Sequence, residues 1–521
     1  MREPSAVFVQ VGSADALTTA VRNGMTWSAA GVDVDWSDGA VDVTAASVSR
    51  VALRWAEALP AEALVLGDAW ERSYGDLQWR HLQPERLLPW YFLSHDPRAG
   101  STTGAGVEVQ PNAFCAWTVD ADGFTLWLDL RNGGGPTQLN GRTLTAAIVR
   151  SFEDAGTPWQ TVEAAVATMS SRLPARPEPA PVVGANNWYY AYGQNFDEKA
   201  VLKDAATIVE LADGHPVKPF SVVDDGWYPG GIASGGPWGL GKPGVFDDMA
   251  GTAAAIKELG ARPGLWFRPL LVREAGPWSR PGPGNGRALD LSYPEVLDLV
   301  RADLQRFKGW GFELVKHDFS TYDVFGRFGP AMGSRLTDSG WQLHDPARTT
   351  AEIVLAFYRE IRSAAEDVVL IGCNTIGHLA AGLVDVQRIG DDTSGRDWER
   401  TRKMGVNTLA FRLPQHNRFF TVDADCVPCT PETPWELNQR FLDLVARSGT
   451  ALFVSVDPAA RTEQTDRALS DGIRLALSGG DASGIEPVDW LVNTTPNAWR
   501  TGSGTIHYDW SRPWGADPVS G

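Results

Sequence analysis

Cysteine is scarce in this chain. Four residues in 521 (Cys115, Cys373, Cys426 and Cys429) are too few for a disulfide scaffold. Cys426-Val-Pro-Cys429 has metal or redox spacing. No second such pair and no nearby His pair completes a four-ligand zinc site, so these read as buried thiols. Basic residues are outnumbered, 46 Lys and Arg against 64 Asp and Glu, for a formal charge of −18. That balance argues against a nucleic-acid or anionic-membrane partner and suits a neutral substrate. No apolar run reaches the roughly 18 residues of a membrane span. Met1-Arg-Glu-Pro-Ser-Ala-Val-Phe8 lacks the basic start and long apolar core of a signal peptide, so a cytoplasmic location is expected. There is no GxSxG nucleophile elbow, and Gly231-Ile-Ala-Ser-Gly-Gly236 lacks the lysine of a phosphate-binding loop.

Tryptophan is abundant, with 22 residues, about three times ordinary usage. It fills cores and interfaces, and it also stacks on the apolar faces of sugar rings. The length calls for two or three domains. Residues 1–172 show short alternating runs such as Val32-Asp-Val-Asp-Trp36 and Thr125-Leu-Trp-Leu-Asp-Leu130 between Gly, Asp and Asn turns, which predicts a β-sandwich. The aromatic-rich stretch Trp70-Glu-Arg-Ser-Tyr-Gly-Asp-Leu-Gln-Trp79 does not alternate and reads as a loop. A helix is expected over 161–172. Residues 173–184 are proline-rich and predict an extended linker.

From 185 to 460 the pattern changes to strand, helix, strand, helix. Strands are expected at 187–191, 219–224, 263–267, 312–316, 368–372, 383–387, 408–411 with 419–422, and 451–455. Helices are expected at 198–212, 247–259, 294–308, 350–365 and 435–448. Eight strands alternating with helices predict a (β/α)8 barrel, whose chemistry belongs at the C-terminal strand ends. Residues 461–521 predict a short extension with a helix at 466–478 and strands at 490–492 and 505–510.

Polar residues collect at the expected strand ends. In Glu313-Leu-Val-Lys-His-Asp-Phe-Ser320, Lys316 and Asp318 alternate and so share a side; a nearby cation keeps a carboxylate ionised, as a glycosidase nucleophile must be. About seventy residues on, Arg388-Ile-Gly-Asp-Asp-Thr393 offers a second carboxyl group, with Asp391 and Asp392 adjacent and one of them directed at the same bond. The bland alternatives are a structural Lys–Asp pair and a solvated acidic loop capping a helix over 396–403. Asp224-Asp-Gly-Trp227 lacks the spaced oxygen ligands of a metal loop and fits two sugar hydroxyls, with Trp227 as a stacking wall. Asp423-Ala-Asp425 either contacts substrate or holds a loop. No metal or cofactor is implied.

Taken in order, Asp224-Asp-Gly-Trp227, Gly264-Leu-Trp-Phe-Arg-Pro269, Leu314-Val-Lys-His-Asp-Phe319 and Gly390-Asp-Asp-Thr393 resemble the strand-end motifs of the clan D glycoside hydrolases, closest to the family 36 α-galactosidases. Tyr74-Gly-Asp-Leu-Gln-Trp79 and Pro89-Trp-Tyr-Phe92 resemble that family's N-terminal β-supersandwich. The resemblance implies a retaining exo-α-glycosidase acting on an oligosaccharide or other glycoside, with Asp318 as nucleophile. It puts the acid/base on Asp391, while spacing from Arg388, as in a sister family, favours Asp392. Substrate contacts are implied for Asp224, Asp225, Trp227, Trp266, Arg268, Lys316, His317, Cys373, Asn374 and Arg388. Arg268 stands where many members have Glu, and His317 where Trp or Tyr is common. These departures leave other sugars open (α-N-acetylgalactosamine, β-L-arabinopyranose, α-glucose), as well as transglycosylation, a non-catalytic sugar-binding barrel and a homo-oligomer.

Overall fold

The computed structural model describes residues 1–515 except 14, 175–179, 195, 233, 283–285 and 338–339. Part of the proline-rich stretch 173–184 therefore lies outside the described residues, and its last two positions already belong to a strand.

The N-terminal part is two antiparallel sheets, of nine and six strands. Alternation does what the sequence implies: in Val32–Ser37 and Ala40–Ala45, Val32, Val34, Trp36, Val41 and Val43 face inward. Asp38 and Gly39 join these strands with φ of 48° and 84°, the left-handed pair that a tight hairpin requires. A Cβ on Gly39 would meet the Val149 carbonyl at 2.3 Å, so close approach demands glycine as well. Between the sheets, Trp36 meets Trp55 edge-on at 5.6 Å, and Trp55 packs on Trp117 and Phe124. Much of the tryptophan excess is this core. The helix expected over 161–172 runs from Pro158 to Met169, started by a Thr157–Gln160 capping box.

The second part is a parallel sheet of nine segments: β1 (Val183–Asn186), β2 (Phe220–Val223), β3 (Arg262–Phe267), β4 (Leu314–His317), β5 (Val369–Gly372), β6 (Val386–Arg388), β7 (Thr421–Asp423), β8 (Val427–Cys429) and β9 (Leu452–Val456). They pair in the order β7-β6-β5-β4-β3-β2-β1-β9-β8. The sheet curls back on itself: Asp423, ending β7, bridges Ala451 just before β9, and Ala451 N–H donates to the Val422 carbonyl at 2.9 Å. Helices Glu198–Leu211, Met249–Glu258, Pro294–Gly309, Thr350–Ala365 and Trp435–Ser448 follow the expected spans closely. Among the described residues no helix is long and apolar enough to cross a membrane.

Several strand expectations need correction. The first strand lies at Val183–Asn186, and Trp188–Ala191 is a helical turn. The Asn186 side chain accepts from Trp188 N–H at 2.8 Å and turns the chain there. Thr408–Arg412 is helical and continues a π-helical stretch, Arg402–Asn407. A four-residue apolar run does not distinguish a buried strand from a buried helix. The sixth strand sits later than expected because Asp385 accepts from Leu370 N–H at 2.8 Å and binds Arg362 at 2.7 Å, closing the lower rim.

In the C-terminal extension the helix spans Glu463–Leu477, and the hairpin is Ala498–Thr501 with Gly504–His507. Trp490, expected in a strand, is instead a buried plug. Its ring meets Trp79 and Trp159 of the N-terminal part and Phe411 of the parallel-sheet part, each at 5.4 Å. Replacing Trp490 with Ala removes the one ring common to these contacts, at a cost of about 3–5 kcal/mol. The thermal midpoint is expected to fall by several degrees in a melt followed by circular dichroism, and a midpoint equal to wild type would refute the plug.

Candidate active site

The C-terminal strand ends carry the chemistry. Lys316 on β4 is buried with its ammonium 2.8 Å from Asp224, which follows β2. Asp224 is braced by the Asn186 amide and by Asp225 N–H at 2.8 Å. Burial works against the Lys316 charge, but Asp224, Cys373 and Asp318 outweigh it and hold the ammonium well above its ordinary pKa. Asp318 ends β4 two residues on. Its carboxylate accepts from the Trp266 indole at 3.1 Å and from Phe319 N–H at 2.6 Å. Asp225 accepts from the Tyr228 hydroxyl at 2.7 Å, and the Tyr228 ring lies parallel to Trp266. Asp224, Asp225, Trp266, Lys316 and Asp318 thus form one connected floor.

The loop after β6 supplies the opposing wall. Arg388 is buried, and its guanidinium lies 3.1 Å from Asp392, 3.0 Å from Asp425 and 3.9 Å from the Cys373 sulfur. Glycines at 390 and 395 let this loop pass its neighbours, since a Cβ would meet the Met404 carbonyl at 2.4 Å and the Tyr189 carbonyl at 1.8 Å respectively. The adjacent aspartates diverge. Asp391 binds Arg400 at 2.6 Å and Arg72 at 3.2 Å, and its N–H donates to the Ser73 carbonyl at 2.9 Å. Its side chain is 16% exposed, against 38% for Asp392. Burial raises the Asp392 pKa, but Arg388, Arg72 and Lys316 outweigh it and hold the carboxyl below its usual range.

Other expected contact residues are turned to, or held by, protein partners. Trp227 is fully buried, gives its indole proton to the Trp266 carbonyl at 2.9 Å, and packs on Phe307 of the Pro294–Gly309 helix and on Trp310, which caps that helix. It supports the floor from behind and is not a stacking wall. His317 alternates with Lys316 and Asp318 and so faces the helices, 6.1 Å from Tyr358. Arg268 is engaged by Asp323 at 2.6 and 3.0 Å and covers the Phe319 ring at 4.2 Å. Asn374, with φ of 51°, accepts from Tyr322 N–H at 3.0 Å and donates to Glu71.

Sequence reasoning passed over the contribution of the N-terminal loop. Ser73 N–H donates to the Ile389 carbonyl at 2.9 Å, and Arg412 lies 2.8 Å from Asp68. These contacts carry Glu71 and Arg72 to the site. The available signal was a Glu-Arg pair inside an aromatic loop that lacks strand alternation. Among the described residues no group of three or more His, Cys, Asp and Glu side chains could hold a metal ion.

No protein-family model matches the chain, and neither does any curated protein. Solved structures do match. TtGalA, an α-galactosidase from Thermus thermophilus in complex with p-nitrophenyl α-D-galactopyranoside, is 18% identical with a TM-score of 0.61, over 97% of this chain and 99% of that one. The fold is that of the family 36 α-galactosidases. The family 36 α-galactosidase AgaA of Geobacillus stearothermophilus, in complex with stachyose, is 16% identical with a TM-score of 0.58, over 91% of this chain and 68% of that one. The galactosidase domain of the α-galactosidase–sucrose kinase AgaSK is 16% identical with a TM-score of 0.57, over 89% and 68%. Within this family 36 fold, the four strand-end motifs read from the sequence lie at the ends of β2, β3, β4 and β6.

His317 supplies a test of its own placement. Both ring nitrogens lack a hydrogen-bond partner among the described residues, and burial lowers its pKa to about 4, against a smaller upward pull from Asp318. The unfolded chain therefore takes up this proton more readily than the folded one. The folded state keeps its full stability above about pH 6.5 and loses the His317 contribution progressively as pH falls towards 4. In urea titrations, His317→Phe is expected to lose about 2–3 kcal/mol less than wild type between pH 6.5 and 4. Parallel losses would refute the burial of a neutral ring.

Proposed function

We propose that the chain is a retaining exo-α-glycosidase of the α-galactosidase kind. The observation that carries this reading is the pair of carboxylates held beyond neighbouring strand ends, Asp318 after β4 by the Trp266 indole at 3.1 Å, two residues from the buried Lys316–Asp224 pair, and Asp392 after β6 by Arg388 at 3.1 Å. Asp318 attacks the anomeric carbon while Asp392 gives its proton to the glycosidic oxygen. Asp392 then takes a proton from water, which releases the sugar from Asp318. Asp391 is the other candidate, as the motif alignment implies. Both carboxylates pair with arginines, Asp391 with Arg400 and Arg72 and Asp392 with Arg388 and Arg72; the greater exposure of Asp392, 38% against 16%, favours it as the acid/base and Asp391 as a brace. Asp224, Asp225 and Lys316 are read as the hydrogen-bonding floor for the terminal sugar, and Arg388 and Cys373 as its wall.

Counting β7 and β8 as halves of one bent strand makes the nine segments eight, and we read the sheet with its helices as a (β/α)8 barrel. We read 1–172 as the N-terminal sandwich, 185–460 as the barrel and 461–521 as an extension. Two departures from the resemblance concern expected sugar contacts. Arg268 gives Nε and one terminal nitrogen to Asp323, and His317 faces the helices. Galactose is the sugar expected from the resemblance, and these two departures do not distinguish it from the alternatives. A neutral glycoside as substrate also agrees with the chain's net charge of −18.

The test is a panel of nitrophenyl and alkyl glycosides. Asp318→Asn is expected to lower turnover at least about a thousandfold on every α-galactoside. Asp392→Asn is expected to lose about a hundredfold or more on methyl α-galactoside and far less on a dinitrophenyl α-galactoside, whose leaving group needs no proton. If Asp391→Asn shows that leaving-group dependence and Asp392→Asn does not, the acid/base is Asp391. Wild-type turnover in Asp318→Asn would overturn the mechanism.

A further inference from the structure

Asp425 sits where the parallel sheet bends. It lies between β7 and β8, and its φ of 76° is left-handed although it is not glycine. Such a conformation costs of order 1–3 kcal/mol and persists only when its surroundings hold it. Here its own N–H donates to the Asp423 carboxylate at 2.8 Å, and its side chain is gripped on one oxygen. That Oδ2 accepts from the Tyr189 hydroxyl and from Thr393 N–H at 2.8 Å, and lies 3.0 Å from both the Thr393 hydroxyl and the Arg388 guanidinium. Thr393 directly follows Asp392. One nitrogen of Arg388 faces both carboxylates, at 3.0 Å from Asp425 and 3.1 Å from Asp392.

We propose that Asp425 is a positioning residue for the acid/base, holding the Asp392 loop through Thr393 and dividing the charge of Arg388 between two carboxylates. This rests on Asp392 being the acid/base. The division matters because a general acid needs its proton. Arg388, Arg72 and Lys316 already hold the Asp392 carboxyl below its usual range; an arginine given wholly to Asp392 would lower it further, whereas a second anion on the same guanidinium returns part of the proton affinity. All the charged and titratable neighbours bear on this balance. Asp392 faces Arg388, Arg72 from the N-terminal loop, and Lys316 from β4. Asp425 faces Arg388, Asp392, Tyr189 and Lys316, with Asp423 and Cys426 beside it in the chain. One further feature fits this role: Asp425 is almost wholly enclosed, while the Asp392 side chain is 38% exposed.

Asp425→Asn isolates the charge, because the amide oxygen can still accept from Thr393 N–H and Tyr189. The alkaline limb of kcat/KM on methyl α-galactoside is expected to move down by about one pH unit, with about a tenfold loss at pH 8. On a dinitrophenyl α-galactoside kcat/KM should change less than about twofold. Asp425→Glu, which keeps the charge, should restore most of the limb. If Asp425→Asn does not fold, Asp425→Ser carries the same test. A folded, neutral variant whose alkaline limb stays at the wild-type pH overturns the proposal, as does an equal loss on both substrates. Asp392→Asn separates the two readings. If it abolishes the limb while Asp425→Asn leaves the limb unmoved, the role of Asp425 alone fails. A limb that persists in Asp392→Asn overturns the assignment of Asp392 itself, whatever Asp425 does.

Discussion

One buried ammonium sets the geometry of the site. Lys316 is almost wholly enclosed, and a cation taken from water costs several kcal/mol unless it is paired. Its partner Asp224 lies at 2.8 Å and is itself held by Asn186 and by the backbone of Asp225. The strands β1, β2 and β4 are therefore tied together at their upper ends by charge as well as by the ladder below. The remaining polar groups are arranged around this centre: Asp318 two residues along the same strand, Cys373 at the end of β5, and Arg388 with its two carboxylates at the end of β6. Negative groups predominate, and Lys316, Arg388 and Arg72 are the cations that allow them to crowd together.

A second constraint comes from the N-terminal part. The stretch around Glu71 and Arg72 is a loop that pairs with the segment carrying Asp391 and Asp392, through the Ser73–Gly390 bridge. Arg412 anchors it from below, reaching Asp68 and the carbonyls of Glu71 and Ile389. Glu71, whose pKa burial raises against the pull of Arg72, meets Asn374 at the end of β5. The N-terminal part thus supplies one wall of the candidate site, and without it Asp391 would be left with Arg400 alone. Trp490 reinforces the same seam from the C-terminal extension.

The cores follow ordinary physical rules. Alternation in the sandwich and apolar runs in the parallel sheet were readable because each depends on a residue and its near neighbours. The helices were readable to within a few residues, and in the structure capping boxes start three of them at Thr157, Thr349 and Thr462. The misread pieces were short. Trp188–Ala191 and Thr408–Arg412 are four- and five-residue apolar segments whose helical form is decided by what covers them.

Much of the site was already written in the chain. A period of two residues along a strand places Lys316 and Asp318 on one side and His317 on the other, and the charges at strand ends have no role in a core. The tertiary structure decided what no local pattern encodes. Asp391 and Asp392 are adjacent in a loop, where direction depends on the partners that meet it. Arg400 draws Asp391 aside, Arg388 holds Asp392, and an arginine more than three hundred positions earlier lies against both carboxylates. Trp227 turns inward because two aromatic rings of a distant helix surround it. Arg268 is spent on Asp323, fifty-five residues on. Alternation is a property of the backbone and can be read from a few residues. The direction of a loop side chain is set by long-range packing and charge, which exist only once the chain has closed on itself.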